Sequence, residues 1–339
     1  MCITPQFLLI FRPSKSREII AVFKLENLLL TENSSSKTVG RVHYRPDLVK
    51  DYAKHIADYL NDGAAVDNVV FDCAGGASAM SVPVLIENSE FSELNTAVIS
   101  KDFDGLNINK NCGVMHMENL SGYVIKNKMS LGFAFDGDAD RVLICDSKGR
   151  VIDGDIILWV LGRWLHKRDK NNDKVAVTVM SSMTLEAHLK KDGIKTMRCP
   201  VGDRYVLETM RENNAALGGE QSGHIIASEF TGTGDGLCTA VLFLNAVKDL
   251  GEDVSTLIDR FGRWPQRLTN LKLKKPRELV DIDAVNKIVS EYESEIPDGR
   301  IFVRTSGTEP LLRILVEAPE KDKVDEISDI LIEKLEKFC

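Results

Sequence analysis

The nonapeptide AFDGDADRV, residues 134–142, brings Asp136, Asp138 and Asp140 close together along the chain and follows them at once with Arg141. Three carboxylates this close repel one another, and a hard divalent cation with oxygen ligands removes that repulsion. A calcium EF-hand loop also begins D-x-D-x-D, but it needs glycine at its sixth position and glutamate at its twelfth. Arg141 and Ser147 stand there instead, and strand-like rather than helical segments flank the loop. Magnesium is therefore the expected ion, and Arg141 beside it suits a phosphoryl oxygen that the ion also touches. A solvated acidic turn is the plainer alternative. The apolar runs on both sides, which hold the chain in place, favour the metal loop.

Two further stretches carry polar chemistry. In RTSGTEPLLR, residues 304–313, a strand delivers Arg304, a tight turn of Ser306, Gly307 and Thr308 offers hydroxyls and bare backbone N–H groups, and Arg313 sits on the returning strand. Two guanidiniums around a glycine-centred nest describe a phosphate site, although an ordinary Gly-Thr hairpin with surface arginines would read the same way. In GGEQSGH, residues 218–224, Glu220, Ser222 and His224 alternate and would project together from an extended segment, where a carboxylate and a hydroxyl suit sugar hydroxyls. A fourth stretch, TGTGDG at 231–236, lacks both the G-x-G-x-x-G spacing and a strand leading into it, so it is expected to open the following helix rather than bind a dinucleotide.

The elements that must position these loops follow from periodicity. RPDLVKDYAKHIADYL places Leu48, Tyr52, Ile56 and Leu60 at helical spacing, with Asp47 as the expected N-cap. NVVFDC, NTAVIS, LGFAF and VLICD read as strands, the last two flanking the acidic loop. After the turn at 147–150 the pattern restarts: strand KVAVTVMS, helix LEAHLKKDG, strand KTMRC, a helix capped by Asp203, the GGEQSGH loop, and a long apolar helix from Gly236 to Leu250. Strands and helices alternating at these lengths predict α/β units with mainly parallel sheets. The remainder, RLTNLKL onward, reads β-α-β-β-α, a small α+β unit. The expected division is a poorly legible segment 1–39, α/β domains over 40–148 and 149–262, and an α+β domain over 263–339.

Composition narrows the classes. With 43% hydrophobic and 28% charged residues the 339-residue chain has the make-up of a soluble globular protein, long enough for two or three domains. A net charge of −8 argues against a broad nucleic-acid surface, yet leaves room for a local pocket that takes small anions. Seven scattered cysteines with no CxxC pair support neither a disulfide framework nor a zinc site and fit a reducing cytoplasm. The apolar run FLLIF at 7–11 is too short for a membrane span and lacks the features of a signal peptide.

Taken together, FDGDADR, GGEQSGH and RTSGTEP resemble the metal, sugar and phosphate loops of the α-D-phosphohexomutases, most closely the phosphoglucosamine mutase branch, in the expected order over roughly residues 40–337. Gln221 and the stretches DGLNINKNCG, VTVMSS, PVGDRYVLE and TGTGDG also resemble that branch; Thr305 stands where proline is frequent. The resemblance implies two α/β phosphohexomutase domains and a small C-terminal one, and interconversion of glucosamine 6-phosphate and glucosamine 1-phosphate in the cytoplasm, toward amino-sugar nucleotides for the cell envelope. It also implies that Asp136, Asp138 and Asp140 ligate magnesium, that Arg141 contacts the transferring phosphoryl group, that Glu220 and Ser222 bind sugar hydroxyls, and that Arg304, Ser306, Gly307, Thr308 and Arg313 hold the other phosphate. His224 belongs to the same sugar loop.

In that family a first domain carries a serine, within a Ser-His-Asn type loop, that is phosphorylated and hands its phosphoryl group on. No Ser-His pair occurs in the 339 residues, and GASAM around Ser78 has neither partner. The expectation is therefore an incomplete mutase, either a truncated or frame-disrupted product or one whose first domain a separate chain supplies. The alternatives are a non-catalytic sugar-phosphate-binding remnant, or an enzyme of phosphomannomutase or phosphoglucomutase type.

Overall fold

The computed structural model describes residues 45–60, 66–87, 91, 94–273, 281–306 and 310–336. The segment 1–39 and residues Gly307 and Thr308 lie outside the described residues.

Strand β1, Asn68–Asp72, is buried from Val69 onward, as expected of a strand covered on both faces. It pairs in parallel with β2 (Asn95–Ile99) on one side and β3 (Leu131–Phe135) on the other. Antiparallel β4 (Val142–Asp146) and β5 (Val151–Ile152) extend the sheet to the order β2-β1-β3-β4-β5. Helices α1 (Asp47–Ala57), α2 (Ser78–Glu87) and α3 (Met117–Asn127) belong to this unit.

The next unit repeats the plan. Strand β6 (Lys174–Thr178) lies between parallel β7 (Lys195–Cys199) and β8 (Leu217–Gly219), and β9 (Ile225–Ala227) returns antiparallel, giving the order β7-β6-β8-β9. In both sheets the chain leaves the central strand toward one neighbour and comes back on the other side. Ligands gather at such a switch point, outside the carboxyl ends of the strands. The acidic loop follows β3 and the GGEQSGH loop follows β8, so each occupies the switch point of its own sheet and leads into that sheet's first antiparallel strand. The sheets are thus mixed, parallel at their centres and antiparallel toward the edge that carries the loop.

Helices α4 (Gly154–Arg168) and α7 (Gly236–Leu250) are buried on nearly every face and pack between the sheets. One hydrophobic core runs from Phe71, Phe133 and Phe135 through Trp159 and Trp164 to Val175, Leu217 and Phe243, joining both units into one body. Helices α5 (Met183–Lys191), α6 (Asp203–Asn213) and α8 (Val254–Phe261) complete the second unit. The last unit is an antiparallel sheet, β10 (Gln266–Lys272), β12 (Leu311–Glu317) and β11 (Arg300–Thr305) in spatial order, with helices α9 (Ile282–Glu293) and α10 (Lys321–Leu335) and its own core around Val285, Ile314 and Ile327.

Two expected caps are corrected. Asp47 is the first helical residue rather than the N-cap, its carboxylate held by Arg45, with Nη2 to Oδ2 at 2.6 Å. Asp203 likewise sits inside the first turn behind Gly202, where it takes the Arg204 N–H at 2.7 Å. Both acids still face a helix N-terminus, where a negative charge is favourable. The helices buried on all sides are capped as the rule requires, Asp153 accepting from the Ile156 N–H and Asp235 from the Cys238 N–H. Among the described residues no helix is long and apolar enough to cross a membrane.

Candidate active site

Strand β3, buried along its whole length, delivers Asp136 directly after Phe135. The loop then folds back sharply: the Ala139 N–H donates to the Asp136 carbonyl at 3.1 Å, Ala139 takes a left-handed φ of 61°, and the Arg141 N–H donates to Asp136 Oδ1 at 3.2 Å. The result gathers one oxygen from each of Asp136, Asp138 and Asp140 within 4.8 Å of one another. Asp138 is exposed, while the side chains of Asp136 and Asp140 keep only 13% and 29% exposure. Glycine is required beneath this loop. A Cβ at Gly76 would lie 2.3 Å from the Gly137 carbonyl oxygen, the acceptor of the Ala77 N–H at 2.9 Å.

Electrostatics register the crowding. Burial, then Asp140 and Asp138, push the Asp136 carboxyl up to about 7. Burial also works on Asp140, but the hydrogen bond and charge of His224, with Asp136 and Arg141, outweigh it and hold Asp140 below the usual carboxylate range. Three oxygen donors, two of them sharing what amounts to one proton, are suited to a hard divalent cation.

A metal ion must displace the Asp136 proton. The folded chain keeps that proton up to about pH 7, whereas an unfolded chain loses it near ~4. Between those values rising pH costs the metal-free fold stability and favours the ion. Affinity for a divalent cation, probed with magnesium, is expected to rise by up to about tenfold per pH unit below 7 and to level off above it if the loop is a metal site, and Asp138→Ala should then abolish binding. Titration calorimetry at pH 6 and pH 8 checks this; a flat pH profile, or equal binding by the variant, would reduce the loop to a solvated turn.

The GGEQSGH loop is a tight turn rather than the extended segment expected: the Gly223 N–H donates to the Glu220 carbonyl at 3.0 Å, with Gly223 at φ 95°. The turn keeps Glu220 and Ser222 together, Ser222 Oγ donating to Glu220 Oε2 at 3.2 Å, while the Gly202 N–H donates to Glu220 Oε1 at 3.0 Å. His224 does not project with them. It is 4% exposed, and its Nδ1 lies 3.1 Å from Asp140 Oδ2.

The two loops form one assembly. Arg141 and His224 make an isolated antiparallel bridge, and the Val142 N–H donates to the Gly223 carbonyl at 3.1 Å. Arg141 Nε lies 3.6 Å from Asp136 and 3.8 Å from Asp140, with 42% of the side chain exposed. The TGTGDG stretch opens α7 as expected and also does more. The Gly236 N–H donates to the Ala139 carbonyl at 2.9 Å; a Cβ at Gly236 would lie 2.5 Å from the Arg141 carbonyl oxygen, and one at Gly234 would lie 2.2 Å from the His224 ring. The visible signal was a pair of glycines around the helix-capping Asp235.

In the third sheet Arg304 and Arg313 stand directly opposite each other across β11 and β12. Like charges directly opposite each other in a sheet are unfavourable by themselves. Next along, the buried Ser306 donates its N–H to the Leu311 carbonyl at 2.8 Å. This unit docks through Arg300, which pairs at 3.0 Å with the fully buried Glu317, whose other oxygen accepts the Met183 N–H at the start of α5.

Paired switch-point loops with converging carboxylates, beside a unit that presents opposed arginines, have the plan of a phosphohexomutase. Models of the phosphoglucomutase/phosphomannomutase family match in chain order: alpha/beta/alpha domain II over residues 50–149, alpha/beta/alpha domain III over 153–263 and the C-terminal domain over 268–334. The chain belongs to this family. It is 40% identical over 311 residues to phosphoglucosamine mutase of Clostridium acetobutylicum, covering 89% of this chain and 68% of that protein. It is 37% identical over 324 residues to the phosphoglucosamine mutase of Acetivibrio thermocellus, covering 92% and 71%. Among solved structures, a phosphoglucomutase/phosphomannomutase family protein of Burkholderia thailandensis superposes with a TM-score of 0.71 at 21% identity, covering 96% of this chain and 71% of that one. Aspergillus fumigatus N-acetylphosphoglucosamine mutase, solved with GlcNAc-6P and magnesium, superposes at 0.68 and 16% identity, covering 86% and 69%.

Proposed function

We propose that the chain provides the metal, sugar and phosphate sites of a mutase that interconverts glucosamine 6-phosphate and glucosamine 1-phosphate. The observation that carries this is the junction of the acidic loop with the GGEQSGH loop through Arg141 and His224, which sets carboxylates for a cation beside a carboxylate–hydroxyl pair for a sugar. A magnesium ion held by Asp136, Asp138 and Asp140 would neutralise charge on a transferring phosphoryl group. Arg141 donates to an oxygen of that group. Glu220 and Ser222 bind hydroxyls of the ring and fix which carbon faces the metal. Buried His224 holds Asp140 in place rather than touching the sugar. Arg304 and Arg313, with Ser306, Gly307 and Thr308, hold the phosphate that is not reacting.

The phosphoryl donor of such a mutase is a phosphorylated serine that these 339 residues do not supply. The α/β domains span 40–148 and 149–262 and the phosphate-binding domain 263–339. A cytoplasmic location is consistent with the free, buried thiols of Cys73, Cys112, Cys145, Cys199 and Cys238.

Calorimetry with hexose phosphates tests the assignment. Glucosamine 6-phosphate should bind more tightly than mannose 6-phosphate. A charge-assisted hydrogen bond is worth roughly 1.5–3 kcal/mol, so Arg304→Ala and Arg313→Ala should each weaken binding about tenfold or more. Arg304→Lys should also weaken it, because the bidentate fork is lost. Unchanged affinity in these variants moves the phosphate site elsewhere, and a preference for mannose phosphate makes the site that of a phosphomannomutase.

A further inference from the structure

Gln221 lies between the two residues assigned to the sugar, yet its side chain is committed to the protein. Its Nε2 donates to Asp153 Oδ2 at 3.2 Å. Asp153 sits 68 residues away at the start of α4, where its other oxygen accepts the Ile156 N–H. The Asp153 Oδ2 atom also receives the guanidinium of Arg263, 110 residues distant, from the linker between α8 and β10. Arg263 reaches, in addition, to 3.7 Å from Asp155, a fully buried acid whose Oδ2 accepts the Ser182 N–H at 2.9 Å. The backbone reinforces the contact. The Gly154 N–H donates to the Gln221 carbonyl at 3.0 Å, and a Cβ at Gly154 would lie 1.9 Å from the Glu220 carbonyl oxygen.

We propose that Asp153 and Arg263 are positioning residues for sugar recognition: through Gln221 they fix the turn that aims Glu220 and Ser222, and they tie that aim to the linker bearing the phosphate-binding unit. The inference rests on the proposed function for its ligand but not for its geometry. One carboxylate oxygen accepts two donors from segments far apart in sequence, so the loop cannot swing without breaking a charge-assisted contact. Gln221 thereby serves specificity without touching the sugar. Its amide is a donor that a carboxylate at 153 can hold, and an apolar residue at 221 would leave the turn tied to the start of α4 only by its backbone bond to Gly154.

Asp153→Asn is the sharp variant. Asparagine is as good an N-cap as aspartate, so α4 keeps its start, but an amide NH₂ in place of Oδ2 would face two donors. Asp153→Asn and Arg263→Gln are expected to speed amide hydrogen exchange over residues 219–224 and to weaken glucosamine 6-phosphate about fivefold, the equivalent of one hydrogen bond. Affinity for inorganic phosphate should be unchanged. Adding Gln221→Glu to Asp153→Asn should restore both properties, since a carboxylate at 221 can accept from the asparagine amide and from Arg263. Unchanged loop exchange in both variants overturns the proposal, and so does a loss that the second substitution fails to rescue, because general destabilisation would produce that. If the parent binds no hexosamine phosphate, the assigned substrate is wrong, and the exchange measurement, which needs no ligand, still decides the positioning role.

Discussion

Purified as these 339 residues and supplied with magnesium, a hexose bisphosphate primer and glucosamine 6-phosphate, the chain is expected to form no glucosamine 1-phosphate above background. The phosphoryl group must rest on a nucleophile between its two transfers, and the serines near the site are committed elsewhere. Ser78 is fully buried and donates to the Cys73 carbonyl at 3.2 Å. Ser222 is bonded to Glu220, and Ser306 is 2% exposed beneath the hairpin. Ser182 caps α5. None is followed by histidine in the sequence. Loss of the nucleophile in covalent catalysis costs on the order of 10⁶-fold, while the positioning and electrostatic parts persist. Turnover by the chain alone would make Ser222 or Ser306 the donor and overturn the division of labour proposed above.

The largest expected change in stability lies at the docking of the C-terminal unit. Glu317 is fully buried, takes the Met183 N–H at 3.0 Å and pairs with Arg300, which also donates to the Val179 carbonyl at 2.6 Å. Arg300→Met removes the only cation that an ion pair in the described structure gives Glu317 and leaves a buried carboxylate, a change worth roughly 3–5 kcal/mol. Burial already pushes the Glu317 carboxyl up, with Arg300 opposing it. Without Arg300 it rises further, so the folded variant holds a proton that the unfolded chain gives up, and its stability falls as pH rises through that range. The deficit should therefore be larger at pH 8 than at pH 5, and Arg300→Met/Glu317→Leu should recover most of it. Differential scanning calorimetry of the three proteins checks this. A loss under about 1 kcal/mol would mean that the pair is compensated by its surroundings.

Much of this architecture could be read from residue pattern. The strand LGFAF is continuous and apolar because both its faces are covered, and the helix expected from Gly236 to Leu250 has those bounds, with Asp235 capping its start and Gly251 closing its end. Local rules failed at Asp47 and Asp203, where an arginine neighbour and a preceding glycine moved the cap by one residue. The alternation of Glu220, Ser222 and His224 suggested one face, but glycine at 223 allowed a turn that separates the histidine from the other two. What the sequence could not display are pairings across long separations. Asp153 and Arg263 look like a helix cap and a linker charge until the fold sets both beside Gln221. Within TGTGDG, Gly234 and Gly236 serve the site through a close approach to His224 and Arg141 that only glycine permits.

On the proposed function, these residues form a competent hexosamine phosphate mutase site that lacks only a phosphoserine. The most direct measurement is a coupled assay for glucosamine 1-phosphate in which the chain is mixed with the phosphorylated first domain of a complete relative, such as the Clostridium acetobutylicum enzyme. Turnover should appear only in the mixture, vanish with Asp138→Ala, and fall with Arg304→Ala. A mixture in which the first domain demonstrably binds the chain, yet no glucosamine 1-phosphate forms while glucosamine 6-phosphate stays bound, would contradict the claim and leave a sugar-phosphate-binding protein.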